Sequence, residues 1–438
     1  LLGLGTVGRG VWQLISRENE VLSNRLGCDL QIKKILVNDK SKERGLAIAP
    51  ELLTTEAKDI LEDEEIKIVV EVIGGTGVAR ELVKQALARG KSVVTANKEL
   101  MASFGQEVLE AADLGGADLL FEASVAAGIP IIKPLRESLV GNRIARVMGI
   151  INGTTNFILS KMDAGQNYED ALAKAQELGY AERDPASDVE GKDAAAKIAI
   201  LASIAFNSRV TAADVYTEGI GSISSVDIMY ARELGYAVKL LAVAKVDADE
   251  FGQPGASGAG GAPVSLEARV HPAMIPLDHP LASVKDAYNA IFVEGDAAGN
   301  LMFFGQGAGS LPTASAIVAD VFQAATNILG SVTGQAACTC FNSWPVKSIE
   351  KIETSFYLLL EAADRPGVLA SIAKVFGDHD VSISNVIQKQ TEAGIAEVVF
   401  MTNKVMESNL RSALTIIESL DVVDKVKNVM RVEVGQDG

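Results

Sequence analysis

The stretch GYAERDPASDVEGKDAAAK, Gly179 to Lys197, sets Glu182, Asp184, Asp188, Asp193 and Lys197 directly ahead of the apolar run IAILASIAF. A charge run of this kind is ordinarily a solvated face, and a loop leading into a helix cap would account for it. Two features argue for more. Asp193 and Lys197 are four apart, so on a helix they share a face, and the residues between and after them are Ala, Ile and Leu, which leaves that face half buried. A second set of residues is built on glycine. LLGLGTVGRGVWQLI carries Gly3, Gly5 and Gly8 in GxGxxG spacing ahead of an amphipathic pattern that runs to about Leu26. In a dinucleotide site the first glycine permits the tight turn, the second admits the pyrophosphate and the third packs helix on strand. Gly5, Thr6 and Val7 then put the helix N-terminus against the phosphates. A plain glycine turn between strand and helix has the same spacing.

The elements that must position these groups alternate. QIKKILV reads as the second strand, IKIVVEVIGG as another that ends in glycine, and KSVVTANK as the next, with the helical VARELVKQALARG between the last two. This order predicts a parallel, doubly wound α/β sheet, whose ligands bind outside the carboxyl ends of the strands. Those ends carry Gly74, Gly75 and Thr76 on one strand and Thr95, Asn97 and Lys98 on the next. Lys98 is thereby delivered toward the nicotinamide end of the site, although a lysine after a strand is also an ordinary solvent-facing helix start. Cofactor choice falls to Asn38, Asp39, Lys40, Ser41 and Lys42 at the end of the second strand. They offer an acid for ribose hydroxyls and bases for a 2′-phosphate, so NAD and NADP both fit.

Length and composition bound the rest. At 438 residues the chain exceeds one ordinary core, and two or three domains are expected. Its 48 % hydrophobic and 22 % charged content is that of a globular protein. A net charge of −17 argues against nucleic acid and anionic membrane surfaces as partners. Cys28, Cys338 and Cys340 are an odd set that suits neither a disulfide framework nor a CxxC metal site, which points to reduced cytosolic thiols. No apolar run approaches the roughly 18 to 20 residues that span a bilayer, so a soluble, cytoplasmic protein is expected. The glycine motif stands so near residue 1 that a short preceding segment is expected, and a targeting peptide is not judged. His271, His279 and His379 show no metal spacing and read as structural. FGQPGASGAGGAP, Phe251 to Pro263, reads as a flexible surface loop.

Taken together, GLGTVG, TANK, FEASVAAGIPII, GIINGTTNFIL and the GYAERDPASDVEGKDAAAK stretch resemble the homoserine dehydrogenase family, oxidoreductases that interconvert aspartate 4-semialdehyde and homoserine with NAD(P). The likeness covers about residues 1 to 330, and its ExDPxxDxxGxDxxxK order is not a general dehydrogenase signal. It implies that Glu182 holds the substrate's ammonium group, with Tyr180 and Lys192 of the same segment among the substrate contacts. Asp188 and Asp193 contact the substrate or orient the lysine. Lys197 matches the catalytic lysine, which stabilises the alkoxide and donates its proton, and Lys98 is a second candidate for that proton. Asn152, Gly153 and Thr154 of NGTTN present donors to the substrate carboxylate or form a plain turn. FEASVAAGIPII implies a monovalent cation, Na⁺, on Glu122, Val125, Ala127 and Ile129, where a bare strand-turn would read the same way. Gly307 and Gly309 of GQGAGSLPTASAIVADV lie near the cofactor, ahead of a helix from about Pro312 that returns to the nucleotide domain.

Beyond the irregular GSVTGQAACTCFNSWPVKS, the segments SFYLLLEA, DRPGVLASIAKVFGDHD, VSISNVIQKQ, IAEVVFMTN, ESNLRSALTIIESL and VKNVMRVEV give strand, helix, strand, strand, helix, strand. This is the ferredoxin-like order, and the tail has the length to fold alone. Its DRPGVLA turn resembles the ACT domain, a module that binds amino acids. Asp364, Gly367, Val368 and Leu369 with Asn385 and Gln388 are then the effector residues, and threonine is the effector that family analogy favours. Dimer contacts alone are the alternative use of the tail. The implied layout is a Rossmann-type NAD(P)-binding domain over 1–130, completed by about 305–328, and an α+β substrate and dimerisation domain over 131–304. A linker over 329–353 and an ACT domain over 354–435 follow, in a homodimer or homotetramer. The rival readings are a dehydrogenase of another small amino-aldehyde, which would not need Glu182 for an ammonium group, and a non-catalytic amino-acid sensor.

Overall fold

The computed structural model describes residues 1–246, 264–334, 338–390 and 394–433. The expected loop at Phe251 to Pro263 lies outside the described residues. The chain divides into two units, one of Leu1–Val147, Ala196–Asp214 and Asn289–Trp344, the other of Met148–Ala195, Val215–Tyr288 and Pro345–Gly438.

In the first unit, Ile68–Glu71, Ser92–Thr95 and Leu119–Leu120 form a parallel sheet. Ile35–Leu36 pairs in parallel with Leu53–Thr54, and Leu2 bridges in parallel to both Glu71 and Leu36, which joins the two sets. Val69, Val93 and Val94 are fully buried, the pattern of parallel strands covered on both faces. Only Ile35–Leu36 of QIKKILV is strand, because its partner is itself two residues long. Helices Val78–Ala88 and Lys98–Gly115 follow strands Ile68–Glu71 and Ser92–Thr95, helix Thr6–Leu26 follows the Leu2 bridge, and the doubly wound α/β class holds. Helix Ser310–Leu329 packs Ala314, Ile317 and Val321 into one core with Val11, Ile15, Val70 and Val94.

In the second unit, Tyr236–Val246 and Leu266–Pro276 pair antiparallel along their whole length. The tail has the ferredoxin-like order, with strands Glu353–Ala363, Ile383–Gln390, Ile395–Thr402 and Val423–Val432 and helices Val368–Asp378 and Glu407–Ile417. Apolar residues alternate along Phe356, Leu358 and Leu360 and meet Ile372, Phe376, Leu410 and Ile417 of the helices in one core. The sheet does not stop at the tail's own edge. Arg431 and Val432 pair in parallel with Ala273 and Met274, so the tail strands and the Tyr236–Val246 pair form one continuous sheet. Buried polar side chains stitch this seam. Arg269, 1 % exposed, donates to Glu433, while Tyr357 and Asn428 both donate to Asp227 at 3.2 and 2.9 Å. Length alone suggested a self-contained tail; parallel pairing at its last strand makes it part of a larger sheet instead. His271 is fully buried against Arg269.

Among the described residues no helix is long and apolar enough to cross a membrane, and no group of three or more His, Cys, Asp or Glu is placed to hold a metal ion. All three cysteines are free thiols.

Candidate active site

The acids of the Gly179–Lys197 stretch are gathered by an asparagine. Asn152 caps helix Gly153–Asp163, its Oδ1 accepting from the Thr155 N–H at 2.9 Å, the usual work of an N-cap amide. Its Nδ2 donates to Asp188 Oδ1 at 2.7 Å and to Asp193 Oδ2 at 2.9 Å. Asn152 and Asp193 are buried, at 5 % and 8 % exposure. One amide therefore holds two carboxylates side by side that would otherwise repel one another. Asp193 sits in the first turn of helix Lys192–Ala205 and Lys197, half buried, one turn later. The flanking Ala194, Ala195, Ala196, Ile198 and Ala199 are all buried. Thr154 Oγ1 donates to the Tyr180 carbonyl at 2.6 Å, and the Tyr180 ring lies 5.0 Å from that of Phe157. The sequence therefore separates by as many as 41 positions what the fold joins at Asn152, Thr154, Tyr180, Asp188 and Asp193. Two residues of the segment stand apart. Glu182 is exposed, and Lys192 points outward to Glu190 at 2.5 Å, a contact that raises its pKa.

The glycine turns of the first unit are built as a phosphate-binding strand-to-helix turn needs. Gly3 has φ +101°, and a Cβ on Gly8 would lie 2.4 Å from the Gly3 carbonyl oxygen, so neither position admits a side chain. Gly5 and Thr6, at the start of helix Thr6–Leu26, are exposed, with Val7 half buried behind them. Gly74 and Gly75 both have positive φ and open space beside them. A buried carboxylate sets that turn: Glu71 accepts the N–H groups of Ile73 and Gly74 at 2.8 and 2.9 Å and the Thr95 hydroxyl at 2.6 Å. Asn97 donates to the Gly75 carbonyl at 2.7 Å and caps the helix that begins at Lys98. Thr76 and Lys98 are half buried. Glu71 escaped the sequence analysis, which took it for an ordinary strand residue; an acid inside an apolar strand was the available signal. Arg44 was missed as well. It donates to the carbonyls of Asp39 and Lys42, both at 2.7 Å, so the exposed Asn38–Lys40 loop carries an additional guanidinium. The Asp39 carboxyl is held below its ordinary value by the Ser41 hydroxyl and N–H. Gly307 packs against the buried Asn289 so closely that a Cβ would lie 2.2 Å from the amide carbon, and Gly309 has φ +125°.

The loop at Glu122 holds the residues expected to meet a cation, Glu122, Val125, Ala127 and Ile129. Ala126 and Ala127 take positive φ, an uncommon conformation for alanine. Outside the regular helices and strands, no main-chain hydrogen bond of the described residues ends on the carbonyls of Val125, Ala127 or Ile129, all three buried residues. Glu122 itself accepts the N–H groups of Ile131, Ile132 and Lys133 at 2.6 to 2.8 Å, and its own N–H donates to Asp320 at 2.8 Å. Burial pushes the Asp320 carboxyl up to about 7.

In the tail, Gly367 has φ +91° ahead of helix Val368–Asp378, and Gln388 Nε2 donates to Asp364 Oδ1 at 3.2 Å. Val368 is buried in the tail core, while Leu369 and Asn385 are exposed beside the turn and on the second strand.

Comparison with known proteins gives the family. The homoserine dehydrogenase family matches residues 130–322, the homoserine dehydrogenase NAD-binding domain residues 3–122, and the ACT domain residues 356–422. The chain is 46 % identical to homoserine dehydrogenase of Corynebacterium glutamicum over 99 % of its own length and 95 % of that protein's, and 45 % identical to that of Synechocystis over 99 % and 98 %. Among solved structures it resembles a homoserine dehydrogenase from Thiobacillus denitrificans, with TM-score 0.90, 42 % identity and coverage of 100 % and 97 %. A hyperthermophilic archaeal homoserine dehydrogenase mutant in complex with NADPH matches with TM-score 0.60 and 27 % identity over 74 % of this chain and 95 % of that one.

Proposed function

The chain belongs to the homoserine dehydrogenase family, oxidoreductases, with a nicotinamide-dinucleotide domain and an ACT domain, and from that premise we propose how its own residues carry the interconversion of L-homoserine and L-aspartate 4-semialdehyde. The observation that supports the reading is the Asn152 clamp on Asp188 and Asp193, with Lys197 one turn beyond on the same helix. Lys197 gives a proton to the substrate's terminal oxygen or takes one from it, and its ammonium meets the negative charge that builds there. Asp193 aims that lysine, and Lys98 is the second candidate for the proton. Glu182 and Asp188 meet the substrate ammonium, the Asn152–Gly153–Thr154 turn meets its carboxylate, and Tyr180 and Lys192 bound the same segment. A bound nicotinamide dinucleotide supplies the hydride acceptor and donor. Gly5, Thr6 and Val7 receive its phosphates, Gly74 to Thr76 with Thr95, Asn97 and Gly307 shape its cradle, and Asn38, Asp39, Lys40 and Arg44 accept either ribose, so that NAD and NADP both serve. Glu122 with the carbonyls of Val125, Ala127 and Ile129 holds Na⁺, whose charge satisfies three buried oxygens. An amino-acid effector, threonine, binds the Asp364–Leu369 turn with Asn385 and Gln388, in a cytoplasmic homodimer or homotetramer. Purified protein supplied with homoserine and each cofactor in turn, followed at the absorbance of reduced nicotinamide, tests the proposal. Turnover is expected with both cofactors, and its absence with both overturns the reading. Glu182→Gln should raise KM for homoserine more than it lowers kcat.

A further inference from the structure

A cavity of about 250 Å³ lies in the second unit, where helix Glu407–Ile417 and strand Val423–Val432 of the tail face the segment Tyr216 to Glu218. Its polar wall has two guanidinium groups, two carboxylates and the Tyr216 hydroxyl. Arg431 is buried and uses all three of its nitrogens. Nη1 donates to Glu218 Oε2 at 2.9 Å, Nε to Glu407 Oε2 at 2.9 Å, and Nη2 to Glu407 Oε1 at 2.6 Å. Arg411 donates to the same buried Glu407 through Nε and Nη2 at 3.0 and 2.6 Å. The Tyr216 hydroxyl joins this wall: it donates to Glu218 Oε2 at 3.2 Å and meets Arg431 and Arg411, and the bonds leave outside them one oxygen of Glu218, Oε1. The remaining wall is apolar: Phe356, Leu410, Leu414 and Val429.

We propose that this cavity is a second amino-acid site, separate from the Asp364 turn, which takes a small L-α-amino acid with an aliphatic side chain. The wall is charge-balanced, so a lone anion or cation would upset it, whereas a zwitterion adds one charge of each sign. The ligand carboxylate meets the Arg411 guanidinium beside the Tyr216 hydroxyl and its ammonium meets Glu218 Oε1, both charge-assisted contacts. Its side chain lies on Leu410, Leu414 and Val429. A volume below the roughly 300 Å³ at which drug-sized sites begin keeps the ligand small.

The site is wired to the candidate active site by main chain. Tyr216 and Thr217 pair in parallel with Arg269 and Val270, and the Glu218 N–H donates to the Val270 carbonyl at 2.8 Å. At the next residue, Gly219, a Cβ would lie 2.2 Å from the Val189 carbonyl oxygen. The Ile220 N–H donates to that same oxygen at 2.9 Å. Gly191, with φ +83°, sits so close that a Cβ would be 3.1 Å from Thr217 Cγ2. Val189 to Gly191 is the turn between Asp188 and Asp193, so Glu218 cannot shift without moving the backbone that spaces those acids. The effect on homoserine rests on the role proposed above for Asp188 and Asp193; the binding site does not.

Calorimetric titration of the full chain with L-valine tests the site. L-valine should bind saturably, at least as tightly as its isostere L-threonine at this site, and about tenfold or more tighter than isobutylamine or 3-methylbutanoate, which each lack one charge. Glu218→Gln and Arg411→Gln should each weaken valine binding about tenfold, while Leu414→Trp fills the cavity and removes binding without altering any charge. Basal homoserine turnover should be unchanged in all three, and the change of about fivefold that valine makes in KM for homoserine in the wild type should be lost in each. The proposal is overturned if valine shows no saturable binding, if binding survives Leu414→Trp, or if Asp364→Asn removes it. Valine binding that follows the three variants in a protein with no homoserine turnover would count against the proposed reaction and leave this site standing.

Discussion

The nucleotide turns of the first unit and the seam of the second unit keep their shapes by opposite means. At Gly3 to Gly8 and at Gly74 and Gly75 the backbone is bent where a side chain would collide or where φ is positive, and exposed main chain is left facing outward for a ligand. Around Arg269, Asp227 and Glu433 nearly every polar atom is instead used inside the protein, between partners as far apart in the chain as Asn428 and Asp227. The difference lies in where a lesion is felt. A region that leaves its donors free loses binding or rate when altered, whereas a region that has paired its charges in the interior loses stability, since removing one partner strands the other.

The largest effect on the catalytic side should come from Lys197→Ala, with turnover down by roughly two to four orders of magnitude and cofactor affinity near that of the wild type. Steady-state kinetics with direct cofactor titration checks it, and near-normal turnover would break the comparison at its functional end. At the seam, Glu433→Gln should cost about 3 to 5 kcal/mol, read by denaturant unfolding at pH 7. Its pH dependence sharpens the point. Burial alone would raise the Glu433 carboxyl, but the charge and hydrogen bond of Arg269 outweigh burial and hold it down to about 2, against an ordinary 4.5. A carboxyl with a lowered folded-state pKa stabilises fully above its unfolded value, so this contribution is complete above about 4.5 and is lost as pH falls toward 2. The stability gap between wild type and Glu433→Gln should therefore narrow as the acid limb is descended; a gap constant from pH 7 to pH 3 would deny the pairing. A chain ended near Pro345 should be insoluble or lack cooperative unfolding, because strand Leu266–Pro276 loses its neighbour.

Between these lies Asn152→Ala, which removes the shared donor of Asp188 and Asp193. A loss of about ten- to a hundredfold in kcat/KM with small change in stability is expected; unaltered kinetics would show that the two acids need no clamp. The smallest effect should be Arg44→Ala, which lowers catalytic efficiency with NADP about tenfold and leaves that with NAD in place. Equal losses with both cofactors would mean that Arg44 shapes the loop and does not meet the 2′-phosphate.

The sequence by itself determined what short-range chemistry dictates. GxGxxG spacing needs turns that only glycine makes, the alternation of apolar runs needs a parallel sheet, and Asp193 and Lys197 share a helix face at any tertiary arrangement. The order of the last six elements was legible for the same reason, since each period of apolar residues is set by near neighbours. Arg44, the partners of Glu71 and the partnership of Asn152 with Asp188 and Asp193 were not legible: an acid inside an apolar strand marks Glu71 as unusual, but a carboxylate in a strand or an asparagine in a turn has no partner written beside it. Nor did any local pattern say that Val423–Val432 would pair with Leu266–Pro276, or that Arg431 would join Glu218 to Glu407. These were decided by the tertiary structure alone: burial forces a charged or polar group to find a partner, and which partner lies within 3 Å depends on where the whole chain has placed it.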